Sequence, residues 1–288
     1  MMMDALSTFL RNLAQQPWGL WWIQARRLVR IEVRRNLFSW KAGWVYFLAF
    51  IPTLIVFLHL VLAAHFPSQI SEDTNVLAGI VQIYYIRLGV FFGCLGIFSR
   101  LIRGEMIERS LHFYLLSPVR RELLLLCKFV AGSLSAVLLF GIATVANFAM
   151  IYVGFGAAGR EYIFNGPGLG QLEAYLSIMV LACLGYGAVF LLLSMIFRNP
   201  MPGAIILLGW EAVNPVLPSL LQKLSVASYL RHLMPVSVSS DGIFALLTVE
   251  TEPVPAWAAT VGLLVLIAAV LTYSCYRIRT LEIRYITD

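Results

Sequence analysis

Charge is scarce in this chain. Of its 288 residues only 12% are Asp, Glu, Lys or Arg, against 60% that are hydrophobic. A water-soluble domain carries about twice that share of charge, so the composition excludes a soluble globule and implies an all-α polytopic membrane protein. Histidine is nearly missing, and His59, His65, His112 and His232 are too scattered for a metal or haem pattern. The cysteines Cys94, Cys127, Cys183 and Cys275 show no ligand spacing either and read as small apolar packing residues. No Gly-x-x-x-x-Gly-Lys-Ser/Thr occurs: Gly166-Pro-Gly-Leu-Gly170 lacks the Lys that would reach a phosphate. Nucleophile elbows and His-Glu-x-x-His pairs are missing too. No catalytic residue, metal site or cofactor site of its own can therefore be named. If the chain does active work, the energy comes from another chain. Its first 18 residues carry Asp4, Arg11 and Pro17 and lack the continuous apolar core of a signal peptide.

What is abundant is long apolar runs. A spanning helix takes about 20 apolar residues, and runs of that kind fall near 43–64, 77–99, 129–153, 173–197, 203–221 and 256–276. Six spans are expected, with Pro52 inside the first. Between them lie a short acidic loop at 65–76, a Gly-rich loop at 154–171, the turn Arg198-Asn-Pro-Met-Pro202 and a longer connection at 222–255. The apolar content of that connection predicts short helices dipping into the outer leaflet before the last span. The expected division is a cytoplasmic N-terminus over 1–42, a membrane domain over 43–276 and a cytoplasmic tail over 277–288.

The formal charge of +6 could suggest nucleic acid, but its distribution fits a membrane better. With the N-terminus inside, 17 of the 21 Lys and Arg are cytoplasmic; only Arg160, Lys223 and Arg231 lie outside, and Arg87 lies within a span. Both termini are expected in the cytoplasm. Residues 19–37 predict an amphipathic helix before the first span. Arg26, Arg27, Arg30 and Arg34 share a narrow arc, and Trp21, Trp22, Ala25, Leu28 and Val29 fall largely opposite. That pairing suits a helix lying against membrane lipid at the cytoplasmic interface. Glu32 and Arg35 interrupt the pattern.

Two ionisable residues sit inside apolar runs, Arg87 and Glu211. A charge at a span's centre costs roughly 2.5–3.5 kcal/mol on the insertion scale, so each needs a partner or a wet cavity. With Asn214, which together with Pro215 marks a break in the helix, they are candidates for a translocation path. On that basis an ATP-independent channel or ion-coupled carrier is one reading of the chain.

The most unusual stretch is 100–128, which gathers six Lys/Arg and three Glu between two apolar runs. Gly104 to Leu116 has room for about three turns of helix, and Ser117-Pro118 stops it, because the residue before Pro resists the helical region. Leu111, Tyr114 and Leu115 lie near one face, with Glu105, Glu108 and Arg109 interspersed. A short amphipathic helix of this kind suits a groove on a partner. The pattern Arg103-Gly-Glu-x-x-Glu-Arg-Ser-Leu-x-x-x-Leu-Leu-Ser-Pro-Val-x-Arg121, closing with Lys128, resembles the cytoplasmic loop of type-2 permeases of ATP-binding-cassette (ABC) transporters. That loop reads acidic-Gly-Thr/Ser-Leu, then Leu-Leu-Ser-x-Pro, a basic residue, and Lys before the third span. Here Arg109 replaces a small or acidic residue and Ser117 adjoins Pro118 without a spacer.

The resemblance implies that this stretch is a coupling helix docking on a separate ATPase subunit. It places Arg103, Gly104, Glu105, Glu108, Arg109, Ser110, Leu111, Tyr114, Leu115, Leu116, Ser117 and Pro118 in or beside that contact. It further implies two copies of a cytoplasmic ATPase holding ATP and Mg, a second permease as homodimer or heterodimer, residence in a bacterial cytoplasmic (inner) membrane, and export. Importer-type permeases of the same superfamily carry a Glu-Ala-Ala…Gly loop, of which only Glu211-Ala212 is present. A lipid-modifying enzyme would need a cluster of His, Asp or Glu at one membrane face, and none is visible.

Overall fold

A computed structural model describes residues 18–63, 69–107, 120–197, 199–214, 217–236 and 255–279. The described residues are helical with no strand. Helix α1 is Trp18–Phe38, α2 Gly43–Ala63, and α3 Ile70–Gly104, which runs on through Glu105–Ile107. Then follow α4 Arg121–Val153, α5 Gly156–Phe164, α6 Gly168–Ile196, α7 Pro200–Val213, α8 Ser219–Gln222, α9 Val226–Arg231 and α10 Ala256–Arg279. Five of them, α2, α3, α4, α6 and α10, are long and apolar enough to cross a membrane.

The bundle is built around α3, α4 and α6, which bury 61%, 67% and 56% of their most apolar stretches, whereas α2 and α10 bury 28% and 22%. Those two lie at the periphery and turn apolar side chains such as Leu54, Ile55, Val261 and Val265 outward. An outer surface this apolar suits lipid rather than water. At the centre, the ring of Phe98 on α3 lies between α4 and α6. A Cβ at Gly132 would sit 2.7 Å from that ring and one at Gly187 2.6 Å. Glycine at both positions is what lets the three backbones close on one aromatic side chain.

Proline shapes the contact between α2 and α3. Pro52 has no N–H, so the carbonyl of Leu48, four residues earlier, loses its helical donor. In an apolar medium an orphan carbonyl costs several kcal/mol. Tyr84 supplies the replacement, its hydroxyl donating to Leu48 O at 2.8 Å, and Tyr85 donates to Ala49 O at 2.9 Å. Both tyrosines lie in Ile80–Gly89, a stretch of α3 wound as a wider π-helix. Asn147 on α4 continues the seam, its Nδ2 donating to Tyr85 Oη at 2.8 Å and to Ala143 O at 2.7 Å.

Several elements depart from the sequence expectation. The acidic loop expected over 65–76 is helical from Ile70, with Glu72 and Asp73 in the first turn, where negative charge complements the helix dipole. Within the expected Gly-rich loop at 154–171, residues Gly156–Phe164 form a helix. The third expected span begins earlier, at Arg121. The expected fifth span, 203–221, is replaced by α7, which starts behind an Asn199 cap (Met201 N to Asn199 Oδ1, 3.1 Å) and ends at Val213. Its 14 residues reach only about 21 Å, short of a hydrocarbon core of about 30 Å. The expected break at Asn214 is present, and two short helices, α8 and α9, follow it.

Candidate functional site at the ends of the charged segment

The charged stretch leaves α3 and returns at α4. Glu108, Arg109, Ser110, Leu111, Tyr114, Leu115, Leu116, Ser117 and Pro118 lie outside the described residues, as do residues 237–254 of the connection before the last span. Both ends of the stretch are described, and both are held by charge.

On the outgoing side, Arg100–Gly104 winds as a second π-helical stretch before Glu105. Glu105 is 1% exposed, Lys128 on α4 2% and Glu32 on α1 1%. Lys128 Nζ lies 2.8 Å from Glu105 Oε1 and 2.7 Å from Glu32 Oε1. Arg35 Nη2 lies 2.7 Å from that same Glu105 oxygen and 3.0 Å from Glu32 Oε2. Two acids and two bases thus alternate, each touching both residues of opposite sign. Burying an ion costs several kcal/mol, and only such mutual pairing offsets it. Arg103, the other described coupling candidate on this side with Gly104, is half-buried and points Nη1 at Met106 Sδ, 3.5 Å away.

On the returning side, the Arg120 guanidinium sits 4.5 Å above the Trp21 ring of α1, a cation–π contact. Glu122 accepts from Arg279 Nε at 2.5 Å, and Arg121 Nη1 donates to Arg279 O at 3.3 Å. The N-terminal helix and the end of α10 therefore meet the charged stretch at the same end of the bundle.

The expected amphipathic helix is present as α1, with a different partner for its inner face. Arg26, Arg27, Arg30, Arg34 and Trp22 are exposed, whereas Trp21, Ala25, Leu28 and Val29 are half-buried and the helix packs along α4. Glu32 and Arg35, which interrupt the sequence pattern, are the residues that enter the ion cluster. Their signal was legible as charge on an otherwise apolar face, but the partners lie 70 and 96 residues away.

The second candidate group lies elsewhere. Glu211 is 7% exposed. Ser225 Oγ donates to its Oε2, and Val226 N donates to Oε1 at 3.1 Å. Ser225 Oγ in turn accepts from Ser228 N at 3.1 Å, capping α9. Asn214 Nδ2 reaches Leu221 O at 3.3 Å, and Gln222 Nε2 reaches Leu217 O at 2.9 Å. The last turn of α7 thus grips the segment that follows it. Arg87 is half-buried on the π-helical stretch of α3, which packs against α9, the helix that ends at Arg231. Among the described residues, no three His, Cys, Asp or Glu side chains gather to hold a metal ion. No family model matches the sequence, and no curated protein matches it.

Proposed function

We propose that this chain is the membrane subunit of an ATP-driven ABC transporter of the type-2, exporter-like kind, with residues 100–128 docking on a separate cytoplasmic ATPase. The observation that carries the reading is the tethering of both ends of that stretch. Glu105 and Lys128 meet inside a buried ion cluster 2.8 Å apart, and Glu122 is tied to the end of α10. A loop that only obeyed the positive-inside rule would need no buried acids at its root. A segment that receives force from a partner needs such a rigid seat.

In this reading ATP and Mg are bound by two copies of the partner ATPase, and a second permease completes the transporter in a bacterial inner membrane. The chain crosses six times, the sixth crossing being made by α7 together with the residues that follow it. The carrier alternative needs Glu211 as a group that ions or substrate can reach, yet both its oxygens already hold Ser225 and Val226.

Affinity purification of the full chain from its native membrane tests the proposal. A cassette ATPase should accompany it, and vesicles holding the complex should hydrolyse ATP in step with flux. ATP-independent flux by the chain alone would overturn the reading.

A further inference from the structure

We infer that α1 is a positioning element for the charged segment, locked to both of its ends by the Glu32–Arg35–Glu105–Lys128 cluster. Its purpose rests on the coupling reading above; the lock itself rests on geometry. The sequence assigns α1 the role of an interfacial anchor. An anchor needs a basic face and an apolar face, and it has no use for a buried carboxylate.

Glu105 stands just before the segment's undescribed part, and Lys128 lies about two turns into α4 beyond it. Glu105 and Lys128 already pair directly with each other. Glu32 and Arg35 convert the pair into a closed alternation of four charges. Two further contacts bind the same partners. Arg100 Nη2 donates to Ser39 Oγ, just past the end of α1, at 2.8 Å, and Arg120 covers Trp21. From Trp21 to Ser39 these contacts are spread over about 27 Å at 1.5 Å per residue. α1 therefore works as a splint: one face grips both roots of the segment, while Arg26, Arg27, Arg30 and Arg34 face outward. Force applied between residues 105 and 128 reaches α1, α3 and α4 as one body.

Hydrogen exchange on the full-length protein in lipid nanodiscs tests the lock. Glu32→Gln and Arg35→Gln should each speed exchange at the two roots of the segment, residues 100–107 and 120–128, by roughly tenfold, as expected for lost local stability, with α2 and α10 unchanged. A rise confined to residues 18–38, or none, overturns the proposal. If a single variant loosens the whole chain, the paired removal Glu32→Gln with Arg35→Gln decides, because it takes α1 out of the cluster and leaves the neutral Glu105–Lys128 pair. Faster exchange at residues 100–107 and 120–128 supports the lock, and unchanged exchange there refutes it. Where the ATPase co-purifies, Arg35→Gln should keep the partner bound while lowering flux per ATP. Absence of any ATPase would defeat the coupling reading alone, because the exchange experiment needs no partner.

Discussion

Lys128 shows how much one residue can carry. Its ammonium faces Glu32 and Glu105 at 2.7 and 2.8 Å with 2% of the side chain exposed. Lys128→Met keeps the length but leaves two buried carboxylates with only Arg35 between them. Removing one member of a buried ion pair costs about 3–5 kcal/mol. Thermal unfolding in detergent should fall accordingly, and Lys128→Arg should recover part of the loss. A variant as stable as the parent would show that the cluster is not closed in solution. Glu211 invites a different test. As a path residue it would matter to transport alone; as the acceptor that holds Ser225 and the start of α9 it matters to the fold. A hydrogen bond to a charged acceptor contributes about 1.5–3 kcal/mol. Glu211→Gln should therefore lower stability by an amount in that range, and an unchanged unfolding temperature would return Glu211 to the path. The sequence marks Glu211 as exceptional. Its partners are hidden because Ser225 and Val226 belong to a helix of only six residues and its cap, too short to leave a periodic signal.

Among the elements, the seam between α2 and α3 follows from one missing N–H. Tyr84 is useful only while Pro52 leaves Leu48 O without a donor. Pro52→Ala restores the helical bond, and Tyr84→Phe removes the substitute. In the parent chain Tyr84→Phe should cost about 1–2 kcal/mol, and in the Pro52→Ala background close to nothing, a coupling that a double-mutant cycle of unfolding energies reads directly. Additive effects would mean that the tyrosine serves some other contact. Helix existence was legible here, since 43–64 and 77–99 are continuous apolar runs. The seam was not, because Pro52 announces a vacancy without naming the side chain that fills it. The same limit explains α5. Its glycines argue for a loop, yet Gly159 lies against Tyr152 O so closely that a Cβ would meet it at 2.0 Å. A helical glycine at a close approach is a tertiary arrangement that local propensity does not display.

For the molecule as a whole, the ends of the helices constrain how often the chain crosses. Arg279 at the end of α10 holds Glu122 and Arg121 at the start of α4, so these termini share one side with α1. α4 leaves that side, α6 returns to it, and α10 must begin on the other. In the proposed six-span topology the chain between residues 197 and 255 therefore changes sides once, although α7 alone is too short for the distance. Hydropathy shows the five long helices plainly, but a single span over 203–221 does not form, because α7 ends at Val213. Cysteine labelling of intact and opened vesicles separates the possibilities. Arg30→Cys and Arg277→Cys should react only from the side that carries α1. Glu161→Cys and Leu224→Cys, both at exposed positions, should react only from the opposite side. If Leu224→Cys reacts from the side of α1, α7 turns back without crossing, the residues beyond 224 must carry the chain over, and Glu211 becomes a group near the surface on the side of α1 rather than one deep in the bundle.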